Sequence, residues 1–337
     1  GPVTVRPWYL PRLATWGMRF LYEGRASRVG AISHAMDQLN RDNVSLFREF
    51  LKGTEHEQLL RDSYYVHAFR NAEAADLGSV DYSIRRDLGA PIQHLGAADL
   101  RDLEPDLSHE FEAAILLKGQ ARTTSPGKLG SVLAEKFTRL GGDILRAEVT
   151  EIYPDEQGGW SYVTDKGRSQ TPKLVLAMGV WSAKLLKPLG IRIPLEAERG
   201  YHVSFKDPGV SLNNSVMDMD MKFVASSMDE GLRAAGTAEF AGLDAPINQK
   251  RLNGLIKLAQ RMLPDLRPDI MTTWSGQRPS LPDSLPCIGE IDGFPNLISA
   301  FGHSHYGLMM APKTGRIVAD LAVETPVNID LSPYKPL

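Results

Sequence analysis

One cysteine, Cys287, stands in a chain of 337 residues, which excludes an intrachain disulfide and a cysteine-based zinc site. Such sparse use suits a reducing compartment, and the expected location is cytoplasmic. Long apolar runs are absent too: the longest, such as Leu174 to Met178, fall far short of the roughly 20 residues of a bilayer span. No charged-then-apolar leader opens the chain, so no targeting segment is expected. Basic charge is not in surplus, with 38 Lys and Arg against 41 Asp and Glu and a net charge of −3. Without a cationic surface to displace counterions, nucleic acid is not an expected partner.

Several chemical signatures are missing as well. No Gly-x-Gly-x-x-Gly occurs, and Ser125-Pro-Gly-Lys-Leu-Gly130 lacks both the leading glycine and the hydroxyl residue of a phosphate loop, so it reads as a helix start. No Gly-x-Ser-x-Gly elbow offers a nucleophile. His303 and His305 lie two residues apart but have no third ligand at motif spacing, so a glycine-flanked loop is expected there and no metal. Neither internal repeats nor low-complexity segments appear, which excludes solenoids and disordered linkers.

What is present is an ordinary globular balance, 42% hydrophobic and 23% charged, enough for one interwoven unit or two domains. Residues 8 to 21 interleave Trp8, Leu10, Leu13, Trp16, Phe20 and Leu21 with arginines. That pattern suits a helix packed on the protein body, with a lipid surface as the alternative. Val29, Ile32, Met36, Leu39, Leu46 and Phe50 predict one long helix ending at Gly53. From 63 to 118, β-rich runs (Tyr64 to Phe69, Ala113 to Leu117) alternate with helical stretches in an α+β mixture. Ser125 and Pro126 start a helix lined by Leu129, Val132, Leu133, Phe137 and Leu140 and stopped by Gly141 and Gly142. Strands are expected at Ile144 to Ile152 and Trp160 to Thr164. Lys173 to Met178 reads as a buried strand feeding a helix from Trp181. Residues 194 to 278 are β-rich around a helix from Gln249 to Leu263, and the last helix is expected to begin at Pro312.

Three stretches concentrate chemistry. Glu198-Arg-Gly-Tyr-His202 places a phenol and an imidazole just after a glycine that permits close backbone approach. Trp274-Ser-Gly-Gln-Arg-Pro279 runs on to Gly289. Phe301-Gly-His-Ser-His-Tyr-Gly307 is a glycine-rich turn opening onto a helix N-terminus, which offers unpaired amides and partial positive charge. Together with Pro7-Trp-Tyr-Leu-Pro11, Val-Leu-Ala-Met-Gly-Val-Trp-Ser182 and Glu230-Gly-Leu-Arg-Ala-Ala-Gly236, the chain resembles the FAD-dependent D-amino-acid oxidase/dehydrogenase family, most closely the bacterial D-amino-acid dehydrogenases.

The resemblance implies an α/β and α+β protein: a remnant of an FAD-binding Rossmann-like domain interleaved with a substrate domain on a mixed, largely antiparallel sheet. On that basis residues 1–54 form an N-terminal helical part, 55–122 and 194–278 the substrate domain, and 123–193 with 279–337 the FAD-binding domain. The family's opening βαβ unit, roughly 30 residues with the glycine fingerprint, has no counterpart here. One position departs little from the family pattern, Ala177-Met178-Gly179 standing for the usual Ala-Thr-Gly or Ala-Ala-Gly.

By the same resemblance Arg278 pairs with the substrate carboxylate, and its planar fork suits two parallel charge-assisted bonds. Tyr201 and His202 become pocket residues, with plain packing equally open for both. Gly302, His303, Gly307 and Leu308 become the loop that meets the flavin ring, with the Pro312 helix aimed at its pyrimidine edge. Val149 becomes the backbone partner of adenine, and Gly179 the glycine packed near the dinucleotide. The implied cofactor is FAD, and the implied reaction is oxidative deamination of a D-amino acid to a 2-oxo acid and ammonia, part of amino-acid catabolism. Implied partners are a small amino-acid or amine substrate, an electron acceptor (quinone or oxygen) and a peripheral contact with the inner membrane. Two alternatives stay open: oxidation of a secondary amine such as sarcosine, a glycine derivative or hydroxyproline, and a flavin-free remnant that binds a carboxylate.

Overall fold

A computed structural model describes residues 1–336. In chain order they form β1 Val3–Val5, α1 Leu10–Glu23, α2 Ala26–Asn40, α3 Asn43–Leu51, β2 Leu60–Phe69, α4 Val80–Asp87, β3 Ile92–Gly96, α5 Ala97–Leu103, β4 Ala113–Thr123 and α6 Pro126–Arg139. Then follow β5 Val149–Pro154, β6 Trp160–Thr164, β7 Gly167–Thr171, β8 Leu174–Leu176, α7 Ser182–Leu186, β9 Glu196–Lys206, β10 Ser215–Asp218, β11 Phe223–Met228 and β12 Gly231–Phe240. The chain closes with α8 Gln249–Met262, β13 Ile270–Ser280, β14 Cys287–Ile291, β15 Phe294–Phe301 and α9 Gly307–Ala322. Two compact units result: unit 1 is Gly1–Arg6, Leu51–Lys136 and Arg199–Gly276, and unit 2 is Pro7–Phe50, Phe137–Glu198 and Gln277–Leu337. The helical segment from Pro7 to Phe50 thus belongs to unit 2, and the divisions fall inside α3, α6, β9 and β13.

Unit 1 is built on a mixed, largely antiparallel sheet in the order β13-β9-β12-β11-β10-β2-β4-β3, with β1 added in parallel to β12. Period-two alternation sorts its two faces. Tyr201, Val203 and Phe205 of β9, Leu232 and Ala234 of β12, and Phe223 and Ala225 of β11 are buried in one core with Leu252, Leu255, Ala259 and Met262 of α8. Each such side chain contributes roughly 1.5–3 kcal/mol by leaving water. Between them, His202, Ser204, Ser226 and Arg233 point to the other face and are only half-buried.

Unit 2 holds two small sheets. β14 and β15 pair antiparallel and β8 adds in parallel, Leu297 opposite Leu174. β5, β6 and β7 make a separate meander. Trp160, Leu176, Leu186, Leu297 and Phe301 share one core. A second core joins Ala35 and Leu39 of α2 to Met310 and Ile317 of α9, where Tyr334 Oη donates to Ala35 O at 2.6 Å.

Five local expectations are corrected. The long helix of residues 29 to 50 breaks at Asp42, whose φ of +68° is left-handed. There Asn43 Nδ2 donates to Leu39 O at 2.6 Å and ends α2, because a short polar side chain competes with the helix ladder. The strand expected from Ile144 starts only at Val149, leaving Ile144 and Leu145 exposed. In α6 Leu129 and Val132 are buried, but Phe137 and the following Leu140 are exposed. β8 spans three residues, and its Val175 is exposed. Finally, α9 begins at Gly307, so Pro312 lies inside it. Among the described residues no helix is long and apolar enough to cross a membrane.

Candidate functional site

A carboxylate in a strand is costly to bury unless its lone pairs are met. In unit 2 the side chain of Glu198, 8% exposed, meets three donors. Arg278 Nη1 donates to Oε1 at 2.9 Å, Ser280 Oγ donates to Oε2 at 3.0 Å, and His305 Nε2 lies 3.0 Å from Oε1. A carboxylate can only accept, so Nε2 of His305 carries the proton in this contact. Burial lowers the His305 pKa, Glu198 opposes that shift, and Arg278 adds to it. The cluster is therefore one compensated ion pair with a neutral imidazole on its flank.

The loop after β15 joins this cluster through the backbone: Ser304 N donates to Pro279 O at 3.2 Å. Gly302 has a φ of +87°, which favours glycine, and a Cβ there would lie 2.7 Å from Leu281 Cδ1, so the leucine would have to turn aside. His303 Nε2 lies 3.0 Å from Thr314 Oγ1 on α9, and burial lowers its pKa to about 4. His303 and His305 thus address different partners. Gly307 opens α9, and no side chain caps it. The unpaired amides of this first turn, next to half-buried Gly307 and exposed Leu308, carry the helix's partial positive charge. The helix mouth is set by Gly307 and not by Pro312.

Elsewhere in unit 2, Val149 is half-buried at the start of β5, paired with Thr164. Gly179 has a φ of +54° with nothing within 4 Å of a notional Cβ. Ser182 Oγ and Ser304 Oγ are buried with no hydrogen-bond partner among the described residues. These orphaned hydroxyls, an uncapped helix mouth and the open Gly179 fit the polar rim of a flavin and its adenylate. The sequence carries no fingerprint glycines to cradle the pyrophosphate.

In unit 1, Tyr201 is 1% exposed. Its hydroxyl donates to Glu239 and accepts from Asn248 N at 3.2 Å, while Arg6 Nε holds Glu239 at 2.7 Å. Enclosure of this kind makes the phenol a support beneath the sheet face. His202 stacks on Trp274 with ring centroids 4.9 Å apart and planes at 16°. Burial, and secondarily Arg233, lowers the His202 pKa to about 4, so the ring is neutral at pH 7. A surface hollow of about 420 Å³ lined by Asp106, Asp207 and Arg267 contains none of these residues.

The sequence motifs include Glu198, Trp274 and His305 without a role for the first two and with only a glycine-flanked loop for the third, and Ser280 is not singled out. One signal was available: Glu196 and Glu198 lie two apart at the start of a strand, so both side chains fall on one face and need partners if that face is buried, and Tyr9 Oη supplies one to Glu196 at 2.6 Å.

Residues 5–321 match the family described as FAD dependent oxidoreductase, DAO. The chain is 33% identical to a D-amino-acid oxidase of Bradyrhizobium diazoefficiens over 100% of its own length and 81% of that protein. It is 29% identical to a glycine oxidase of Pseudomonas aeruginosa over 73% of this chain and 68% of the other. Its fold matches the crystal structure of glycine oxidase from Geobacillus kaustophilus, with a TM-score of 0.78 at 24% identity, covering 89% of this chain and 81% of that one. With an oxidoreductase profile across nearly its whole length, this chain belongs to the DAO family of FAD-dependent oxidoreductases, enzymes acting on amino-acid or amine substrates.

Proposed function

We propose that the chain binds FAD and serves the oxidative deamination of an amino acid, with a D-amino acid as substrate. The observation that carries this reading is the meeting of Arg278 with the flavin-side loop on one buried carboxylate: Glu198 holds Arg278 at 2.9 Å and His305 at 3.0 Å. Anchored from that side, the Arg278 fork is oriented to grip a substrate carboxylate through paired N–H donors, which fixes the α-carbon as well as the affinity. FAD, when bound, supplies the hydride acceptor. Val149, Gly179, Gly302, His303, Gly307 and Leu308 would hold it, with the α9 amides facing its electron-rich edge.

Arg278→Lys keeps the charge and removes the fork. The dissociation constant of a non-reacting amino-acid analogue, measured by calorimetry, should rise roughly ten- to hundredfold. An unchanged constant removes Arg278 from the role. FAD retention is read separately from the visible absorption of the purified protein. Colourless protein that takes up no added FAD, yet binds the carboxylate, would favour the flavin-free remnant instead.

The glycine oxidase relatives favour a second reading on the same site, a glycine-type or secondary amine substrate. A substrate panel with a dye acceptor separates the two. A peripheral membrane contact, and with it a quinone acceptor, draws support from α1. Trp8, Leu10, Met18 and Leu21 are all more than half exposed beside Arg12 and Arg19. Sedimentation with anionic vesicles tests it, and recovery of all protein in the supernatant rejects it.

A further inference from the structure

Glu198 Oε1 takes two donors at once, Arg278 Nη1 at 2.9 Å and His305 Nε2 at 3.0 Å. The guanidinium and the imidazole are therefore neighbours, no further apart than those two contacts laid end to end. Their backbones are tied as well. Ser304 N donates to Pro279 O at 3.2 Å, which fastens the residue before His305 to the residue after Arg278, and Tyr306 N donates to His303 O at 2.8 Å.

A neutral imidazole has one donor and one acceptor. Because Glu198 takes the proton of Nε2, the lone pair of His305 sits on Nδ1. Nδ1 has no hydrogen-bond partner among the described residues, and the side chain is 49% exposed. His303, the other ring of this loop, is turned to Thr314 Oγ1.

A 2-amino acid carries its carboxylate and its ammonium on one carbon, so a group beside the partner of the first is within reach of the second. The ammonium requires an acceptor. Within the cluster Arg278 can only donate, Glu198 is buried under three donors and Ser280 is buried, which leaves His305 Nδ1 as the exposed acceptor.

We propose that His305 is a catalytic residue whose Nδ1 receives a hydrogen bond from the α-ammonium of the amino-acid substrate and then takes one of its protons. The N–H bond breaks as the Nδ1–H bond forms, and the electron pair stays on the substrate nitrogen. That pair becomes the second bond of C=N when the α-hydrogen leaves with its own electron pair, as hydride, for the flavin of the proposed reaction. Glu198 on Nε2 then faces an imidazolium, which it stabilises. Arg278 of β13 opposes charge on this ring and Glu198 of β9 favours it, so a substrate carboxylate that offsets Arg278 makes the ring a better base when it is needed. The proposal rests on Arg278 as the grip of that carboxylate.

The test uses the FAD-loaded full chain and two unreactive ligands: 2-aminoisobutyrate, which has no α-hydrogen, and isobutyrate, which has no amine. By calorimetry His305→Leu should weaken 2-aminoisobutyrate about ten- to hundredfold and leave isobutyrate unchanged. His305→Gln keeps a donor for Glu198 and an acceptor for the ammonium but cannot hold the proton. It should bind 2-aminoisobutyrate almost as the parent does, while kcat/KM for D-alanine at neutral pH falls roughly a hundredfold. The acid limb of its kcat/KM profile should move from below the ordinary histidine value up to the alkaline pKa of the ammonium itself. His305→Gln also serves where His305→Leu fails to fold. Equal weakening of both ligands in His305→Leu, as a merely structural ring would give, overturns the proposal, and so does an unmoved acid limb in His305→Gln. Arg278→Lys should weaken both ligands. If it weakens neither, the carboxylate grip fails and the proposal with it, a result distinct from any failure seen in the His305 variants alone.

Discussion

Two guanidiniums, Arg278 in unit 2 and Arg233 in unit 1, both project from strands and are both only partly exposed, yet they meet opposite surroundings. Arg278 is matched by Glu198, which also collects Ser280 and His305. Among the described residues Arg233 has one long contact to a hydroxyl and no ion pair. The difference separates two uses of a buried charge. Compensation at Arg278 fixes geometry at little net electrostatic cost, while at Arg233 no carboxylate within ion-pair distance among the described residues offsets the desolvation, and Glu230 acts on it only from further away.

The largest expected effect that tests this contrast is on stability. Glu198→Leu strips the partner from Arg278 and orphans two further donors, and should cost roughly 2–4 kcal/mol in urea unfolding. Arg233→Leu removes a cation with no ion pair among the described residues, and should be neutral or stabilising by up to about 1 kcal/mol. Similar costs for the two variants would erase the distinction drawn here. Gly302→Ala comes next, at about 1–2 kcal/mol, since a φ of +87° disfavours any Cβ; Leu281 can swing away, which limits the penalty.

Smaller shifts sharpen the picture. In Glu198→Gln the charge that raises the His305 pKa is gone, so an NMR titration of that ring should move to lower pH, while its hydrogen bond to the amide oxygen survives. No movement would mean that the ring does not sense Glu198. Two further histidines set a pH dependence, alongside His67, whose pKa burial also lowers to about 4. His202 and His303 are each held near pKa about 4, below the roughly 6.5 of an unfolded chain. The unfolded state therefore binds more protons between those values, and this part of the stability is present above pH 6.5 and lost as pH falls towards 4. His303→Gln should flatten the dependence of the urea midpoint over that window, and an unaltered slope would exclude His303 as a contributor.

Much of the architecture was legible residue by residue. Strand β6 falls on Trp160–Thr164, and α8 ends one residue short of its expected limit. Both follow from period and flanking breakers, which are local properties. The misplaced boundaries have equally local but subtler causes. At Asp42 and Asn43 a side chain replaces the helix ladder, and at Pro312 the helix has already begun five residues earlier, at Gly307, so the proline sits past the first turn and has no N–H to give Leu308 O. Ile144 and Leu145 have strand-like sequence but no strand partner among the described residues, and propensity alone does not make a ladder.

The sequence by itself determined the family, the two glycine-bearing blocks after positions 274 and 301, and which residues alternate towards a core. Only the tertiary structure decided that Glu198 and Arg278, 80 residues apart, share a hydrogen bond while Arg233 has no acid within ion-pair distance among the described residues. Periodicity is written in neighbouring residues. The pairing of charges depends on which strands lie side by side and in what register, and that is settled by the packing of the whole sheet.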